Sequence, residues 1–126
     1  MMKQCLSLGL LSLLLAGCTT TTVTNLTPSQ QPRNSTGLYP FEAILDSNQQ
    51  SLVKDSIQAY VRIGAESYPM RRTSLMKNRW EAIVPIPGDK EFVNYQYKFD
   101  YEYRSIPNHR PNSKMSSAYQ LQILKK

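Results

Sequence analysis

The sequence is short of the residues from which catalytic and metal centres are built. Its 126 residues include one histidine, His109, and two cysteines, Cys5 and Cys18, with carboxylates scattered along the chain. A general acid–base pair or a nucleophilic triad needs titratable groups converging on one place, so no catalytic residues are expected and the chain reads as non-enzymatic. No His/Cys spacing suits zinc and no acidic spacing suits calcium, so no metal or other cofactor is expected. Glycine is scarce, with 5 in the chain, and no serine sits on a strand-to-helix elbow. Helical periodicity is nearly absent as well; only Leu52 to Ile57 hints at a helical turn. The longest apolar run, Leu6 to Leu15, is too short for a bilayer span of roughly 20 residues.

That run has the features of an export signal. Lys3 gives a positive start, Leu6 to Leu15 an apolar middle broken only by Ser and Gly, and Ala16-Gly17 a small-residue end; this is a cleavable leader, not a retained anchor. Leu15-Ala16-Gly17-Cys18 resembles the lipobox of bacterial lipoproteins. The resemblance spans the leader and implies that residues 1–17 are removed and that Cys18 is lipidated, carrying diacylglycerol and a further acyl group such as palmitate. Two or three acyl chains, at about 0.8 kcal/mol per buried methylene, make such an attachment effectively permanent. In the sorting rules of that family Asp after the cysteine means inner-membrane retention; Thr19 therefore implies the outer membrane of the cell envelope.

Cleavage would leave 109 residues and a single cysteine already occupied by lipid, so an internal disulfide is excluded and stability has to come from an apolar core. That length suits one domain. Losing Lys3 leaves 14 Lys and Arg against 9 Asp and Glu, a net charge of +5. Such a bias favours contact with anionic envelope material such as lipid head groups or acidic glycans. Nucleic acid is not an expected partner for an exported, tethered chain.

Residues 18–37 are rich in Thr, Ser, Asn, Gln and Pro with almost no large apolar side chains, a composition that predicts a flexible tether. The Asn25-Leu26-Thr27 and Asn34-Ser35-Thr36 sequons within it follow from that composition and are not read as glycan sites. Residues 38–126 are different: short runs rich in Tyr, Val, Ile and Phe are bounded by Asn, Ser, Pro and Gly. This pattern predicts an all-β antiparallel sandwich of about six to seven strands. The expected strands are Tyr39 to Leu45, Gln58 to Ile63, Tyr68 to Met76, Arg79 to Ile86, Val93 to Arg104 and Ala118 to Leu124.

The fifth is the clearest. Val93, Tyr95, Tyr97, Phe99, Tyr101 and Tyr103 share one face and Asn94, Gln96, Lys98, Asp100, Glu102 and Arg104 the other, a strict period of two with one side for the core and one for water. Pro87-Gly88-Asp89-Lys90 predicts a turn, which would make Arg79 to Ile86 and Val93 to Arg104 a hairpin. The run Arg79-Trp80-Glu81-Ala82-Ile83-Val84-Pro85-Ile86-Pro87-Gly88, followed by Tyr95-Gln96-Tyr97-Lys98-Phe99, resembles the early-set immunoglobulin-like domains that include glycogen- and starch-binding modules. This covers about a third of the chain and implies an immunoglobulin-like fold. Lys98 matches a position that can contact sugar in those modules. The glycan-contacting segment that precedes the hairpin there has no counterpart in Ile63 to Met70, and the continuation after it is replaced by Asp100-Tyr101-Glu102-Tyr103.

Trp80 has two readings, a sugar platform or a buried ring; its place on a half-buried strand favours the core. Tyr95, Tyr97 and Phe99 are expected in the core, and Tyr101 and Tyr103 on an exposed rim beyond the hairpin partner. Basic residues gather at Arg71, Arg72, Lys77 and Arg79, and again at Arg104, His109, Arg110 and Lys114. Solvated loop charge explains both groups; alternatively, the Pro-containing loop from Ser105 to Ser116 forms with Tyr101 and Tyr103 an edge for an anionic partner. The chain is thus expected to be a membrane-anchored, non-catalytic interaction or structural module with an envelope protein as partner. A carbohydrate-binding lipoprotein is the alternative, with Trp80, Lys98, Tyr101 or Tyr103 exposed together. An enzyme would need an indispensable His109.

Overall fold

In the computed structural model residues 20–125 are described, so the leader and Cys18 lie outside them. Nine strands follow one another: β1 Thr21–Asn25, β2 Gln30–Pro32, β3 Leu38–Ser47, β4 Leu52–Ile63, β5 Glu66–Arg72, β6 Arg79–Pro85, β7 Phe92–Tyr103, β8 Arg110–Met115 and β9 Tyr119–Leu124. They hydrogen-bond in the order β1-β3-β6-β5-β4-β7-β9-β2, with β8 also on β7.

This sheet folds over on itself, and β5 makes the corner. Glu66 to Met70 pair with β4, after which Arg71 and Arg72 pair with Glu81 and Trp80 of β6. One layer is therefore β1-β3-β6-β5 and the other β4-β7 with β8 and β9, β2 lying parallel to β9. Four of the nine segments are halves of two longer strands. β8 and β9 both pair antiparallel to β7, in registers one residue apart, and β1 and β2 divide one N-terminal strand between the two layers. Seven strands in this order, split four and three, are the layout of an immunoglobulin-like sandwich.

The two layers are held by the alternation along β7. Val93, Tyr95, Tyr97, Phe99 and Tyr101 are buried and meet the buried residues of β3 and β6, with Tyr95 edge-on to Phe41 (centroids 4.9 Å apart) and Phe99 edge-on to Trp80 (6.3 Å). Edge-to-face pairs of this kind add about 0.5–1.5 kcal/mol to the area they bury.

Several sequence expectations are corrected. The tether is one: Thr21–Asn25 forms five pairs with β3 and Gln30–Pro32 pairs with β9. Its Thr and Asn residues serve the core rather than solvent. The hydroxyl of buried Tyr97 lies 2.6 Å from Thr27 Oγ1 and 2.7 Å from Asn25 Oδ1, and Asn25 Nδ2 donates to Tyr95 Oη at 2.8 Å. Buried phenol groups need partners, and this polar segment supplies them. Both sequons are local turns, Asn25 Oδ1 accepting from Thr27 N–H and Asn34 Oδ1 from Gly37 N–H.

The helical turn at Leu52–Ile57 is also overturned. These residues open β4, whose register on β7 shifts by a bulge between Val53 and Gln58. The predicted hairpin is another correction: Pro87–Lys90 does turn, Lys90 N–H reaching Pro87 O at 3.1 Å, but β6 pairs with β3 and β5 while β7 pairs with β4, β8 and β9. The turn crosses between layers, and Arg33 fastens it by donating to Gly88 O and Lys90 O. The third predicted strand ends at Arg72 instead of Met76. Within the expected loop Ser105 to Ser116, Arg110–Met115 is strand β8.

Candidate functional site

Alternating strands give the sandwich two ends. At one end lie the start of β1, the turn 48–51, the loop 73–78 between β5 and β6, and the loop 104–109 between β7 and β8. Backbone hydrogen bonds tie these together: Asn48 N–H to Thr20 O, Leu45 N–H to Asn78 O, and Arg104 N–H to Ser51 O at 2.7 Å. Arg71, Arg72, Lys77, Arg104, His109 and Arg110 all belong to this end. Both basic groups read from the sequence are therefore brought to one end by the fold, except Lys114, which sits further along β8 opposite Phe99.

Between the layers here is a cleft of about 550 Å³. Leu45, Leu52, Ile57 and Trp80 give it an apolar floor, and Lys54, Asp55, Arg72 and Lys77 are among its polar walls. Arg72 crosses over Trp80 with its guanidinium carbon 4.7 Å from the ring centroid, and donates to Lys54 O at 2.8 Å. A guanidinium over an indole is favourable by about 0.5–1 kcal/mol at a partly wet site. Trp80 Nε1 and Arg72 Nε are buried without a hydrogen-bond partner.

Alongside this end, the outer face of β4, β7 and β8 forms a shallow polar groove of about 580 Å³ that includes Ser56, Gln58, Asp100, Glu102, Asn112 and Ser113. Lys98 pairs with Asp100 at 3.6 Å, and His109 Nδ1 lies 3.4 Å from Glu102 Oε2. β8 bounds the groove and bonds to β7 along one edge only among the described residues. Lys114 alone of its six residues is even half-buried. An edge strand of this kind has main-chain groups available to another chain.

Two serines repair the ladder where the neighbours of β7 are irregular. Ser56 Oγ, in the β4 bulge, accepts Glu102 N–H at 2.8 Å; Ser116 Oγ, at the β8–β9 break, accepts Tyr97 N–H at 2.8 Å. Neither serine was marked by the sequence pattern. A Ser breaking the alternation of a strand is the signal that would have found them.

The candidate binding residues divide. Tyr103, Arg104 and Arg110 do come together, Tyr103 and Arg110 being cross-strand partners. Trp80 and Tyr101, each 6% exposed, are core. For Trp80 that agrees with the favoured reading; for Tyr101 it corrects the expected rim, because β4 pairs with β7 as far as Tyr103 and no part of β7 runs past its neighbour. Lys98 lies on the outer face of β7, opposite to the face of Tyr101. Trp80, Lys98 and Tyr101 thus share no exposed face. Cys18 lies outside the described residues.

Burial raises the pKa of two groups, Tyr95 and Tyr97, by disfavouring their charged phenolate forms. Both are hydroxyls in the core network, outside the groove and the cleft. Among the described residues no three His, Cys, Asp or Glu side chains are grouped to hold a metal ion, and no helix is long and apolar enough to cross a membrane.

No family model and no curated protein matches the chain. Among solved structures it is similar to murine CRIg, with 12% sequence identity and a TM-score of 0.40 over 83% of this chain and 98% of that one.

Proposed function

We propose that this is a lipid-anchored lipoprotein of the bacterial cell envelope whose immunoglobulin-like domain is a non-catalytic protein-interaction module. Export and lipidation at Cys18 rest on the leader and its lipobox, and Thr19 favours the outer membrane. The observation that carries the interaction role is the edge of β8: six residues, paired on one side, beside a polar groove and three basic residues of the 104–110 segment. An extended segment of a partner can add to such an edge through main-chain bonds.

The test is photo-cross-linking in cells of the lipoprotein carrying a photoreactive residue at Asn112 of β8 or at Ile83, which is exposed on the other layer. A stoichiometric envelope protein captured from position 112 and not from 83 supports the reading. Capture from 83 alone would move the interface to the other layer. Recovery of glycan without protein would favour a carbohydrate-binding lipoprotein and direct mutagenesis to Lys98 and Tyr103.

A further inference from the structure

Three side chains at the end where the chain enters the domain are unusual for a surface. Leu75 is 95% exposed, Ile106 94% and Met76 43%, and all three stand on loop tips, at 73–78 and 104–109, where no packing role accounts for them. The tips carry Lys77 and Arg104, and Arg110 begins the adjoining strand. No Asp or Glu occurs in 48–51, 73–78 or 104–109. The nearest carboxylates stand on strands: Asp46 accepts from Asn78 Nδ2, Glu102 faces His109, and Asp55 lies in the β4 bulge. At the opposite end Glu66, Asp89 and Glu91 are all exposed and lie among the cations Arg33, Lys90 and Lys125, and the exposed apolar residues there, Leu38 at 45% and Phe92 at 49%, stand on strands instead of loop tips.

The place of Thr20, the first described residue, gives this asymmetry a direction. Thr20 is fixed to the same end, its N–H donating to Asn48 Oδ1 at 2.7 Å. Cys18 precedes it by two positions, a reach of about 7 Å of extended chain. With β1 folded into the sandwich, no tether of twenty residues remains to hold the domain away from a lipid attached at Cys18.

We infer that this end of the sandwich seats directly on the bilayer: Leu75, Met76 and Ile106 enter the interfacial layer, and Lys77, Arg104 and Arg110 meet the phosphates of anionic lipid. Apolar tips ringed by cations are the arrangement that partitions into a head-group region. The inference rests on lipidation of Cys18 and fixes the orientation of the proposed module, with the β8 edge held sideways above the membrane.

The test uses the full chain, processed in cells and reconstituted in vesicles of phosphatidylcholine with phosphatidylglycerol. Spin labels are placed singly by Leu75→Cys, Ile106→Cys and, at the far end, Asp89→Cys; the lipidated Cys18 leaves each as the one free thiol. Mass spectrometry of the N-terminal peptide is read on the same samples. With Cys18 acylated, the ratio of oxygen to water-soluble chelate accessibility is expected to be several-fold higher at 75 and 106 than at 89. The gain at 75 should disappear in Ile106→Glu with the fold intact by circular dichroism. Equal ratios at all three positions on an acylated protein would overturn the seating and leave the lipoprotein reading standing. An unacylated Cys18 would overturn both. Shielding of 75 and 106 that persists in detergent micelles as protein–protein contact would assign the end to another copy of the chain and also overturn it.

Discussion

Thr27 and Tyr97, seventy residues apart, place their hydroxyls 2.6 Å from each other inside the sandwich. Thr27 Oγ1 also accepts Glu42 N–H at 2.9 Å. The contact joins the N-terminal segment to the centre of β7, making a stretch that is polar in composition part of the core.

Thr27→Val is expected to cost more than Tyr97→Phe, because the first leaves the Glu42 N–H without its acceptor and takes one of several partners from the Tyr97 hydroxyl, while the second removes a hydroxyl whose partners keep other bonds. Values of about 1–3 and about 1 kcal/mol follow from the cost of an unpaired buried group against the net value of a bond. Urea unfolding of both single variants and the double variant measures them. The double variant should cost less than the two added together, since the residues share one network.

Alkaline pH should destabilise the domain through Tyr95 and Tyr97. Burial raises both, Tyr97 far above the range of exposed phenols, while the unfolded chain ionises near the ordinary value of about 10. The folded state therefore retains protons that the unfolded state gives up, so this stability is complete below about pH 10 and falls as pH rises further. Melting temperature measured from pH 8 to 11 checks the sign, and Tyr97→Phe should flatten the decline.

Trp80, the chain's one tryptophan, should emit at short wavelength and be shielded from iodide. Trp80→Ala is expected to cost about 3–5 kcal/mol, as for other large aromatic truncations in cores. Arg72→Ala should cost about 1 kcal/mol or less and shift the emission to the red as the guanidinium cover is lost. Fluorescence-detected denaturation reads both.

Ser116→Ala and Ser56→Ala each remove the acceptor of a β7 N–H, and about 1–2 kcal/mol is expected for each. Hydrogen exchange gives the local readout. The Tyr97 amide should lose protection in the first variant and the Glu102 amide in the second.

The strict alternation from Val93 to Tyr103 determined β7, its buried face and the β-rich class, because a period of two admits one arrangement of a half-buried strand. Pro87–Lys90 likewise specified a turn. Which strands the turn joined was not legible: pairing depends on how layers close, and β6 and β7 face each other across the core instead of sharing a ladder. Composition also misplaced residues 21–32, since Thr and Asn look alike whether they meet water or a buried phenol. Leu52–Ile57 looked helical because a bulge interrupts its alternation.

At the candidate site, the sequence by itself supplied the residue types: a leader ending in Cys18, two basic groups and a Pro-containing segment near Arg110. Tertiary structure decided their use. Pairing of β7 with β4 buried Tyr101, and packing between layers buried Trp80. The alternating course of the strands brought the basic groups to the end where β1 begins. Local periodicity records which face of a strand avoids water, but which end of the sandwich a loop reaches depends on chain direction summed over every strand before it.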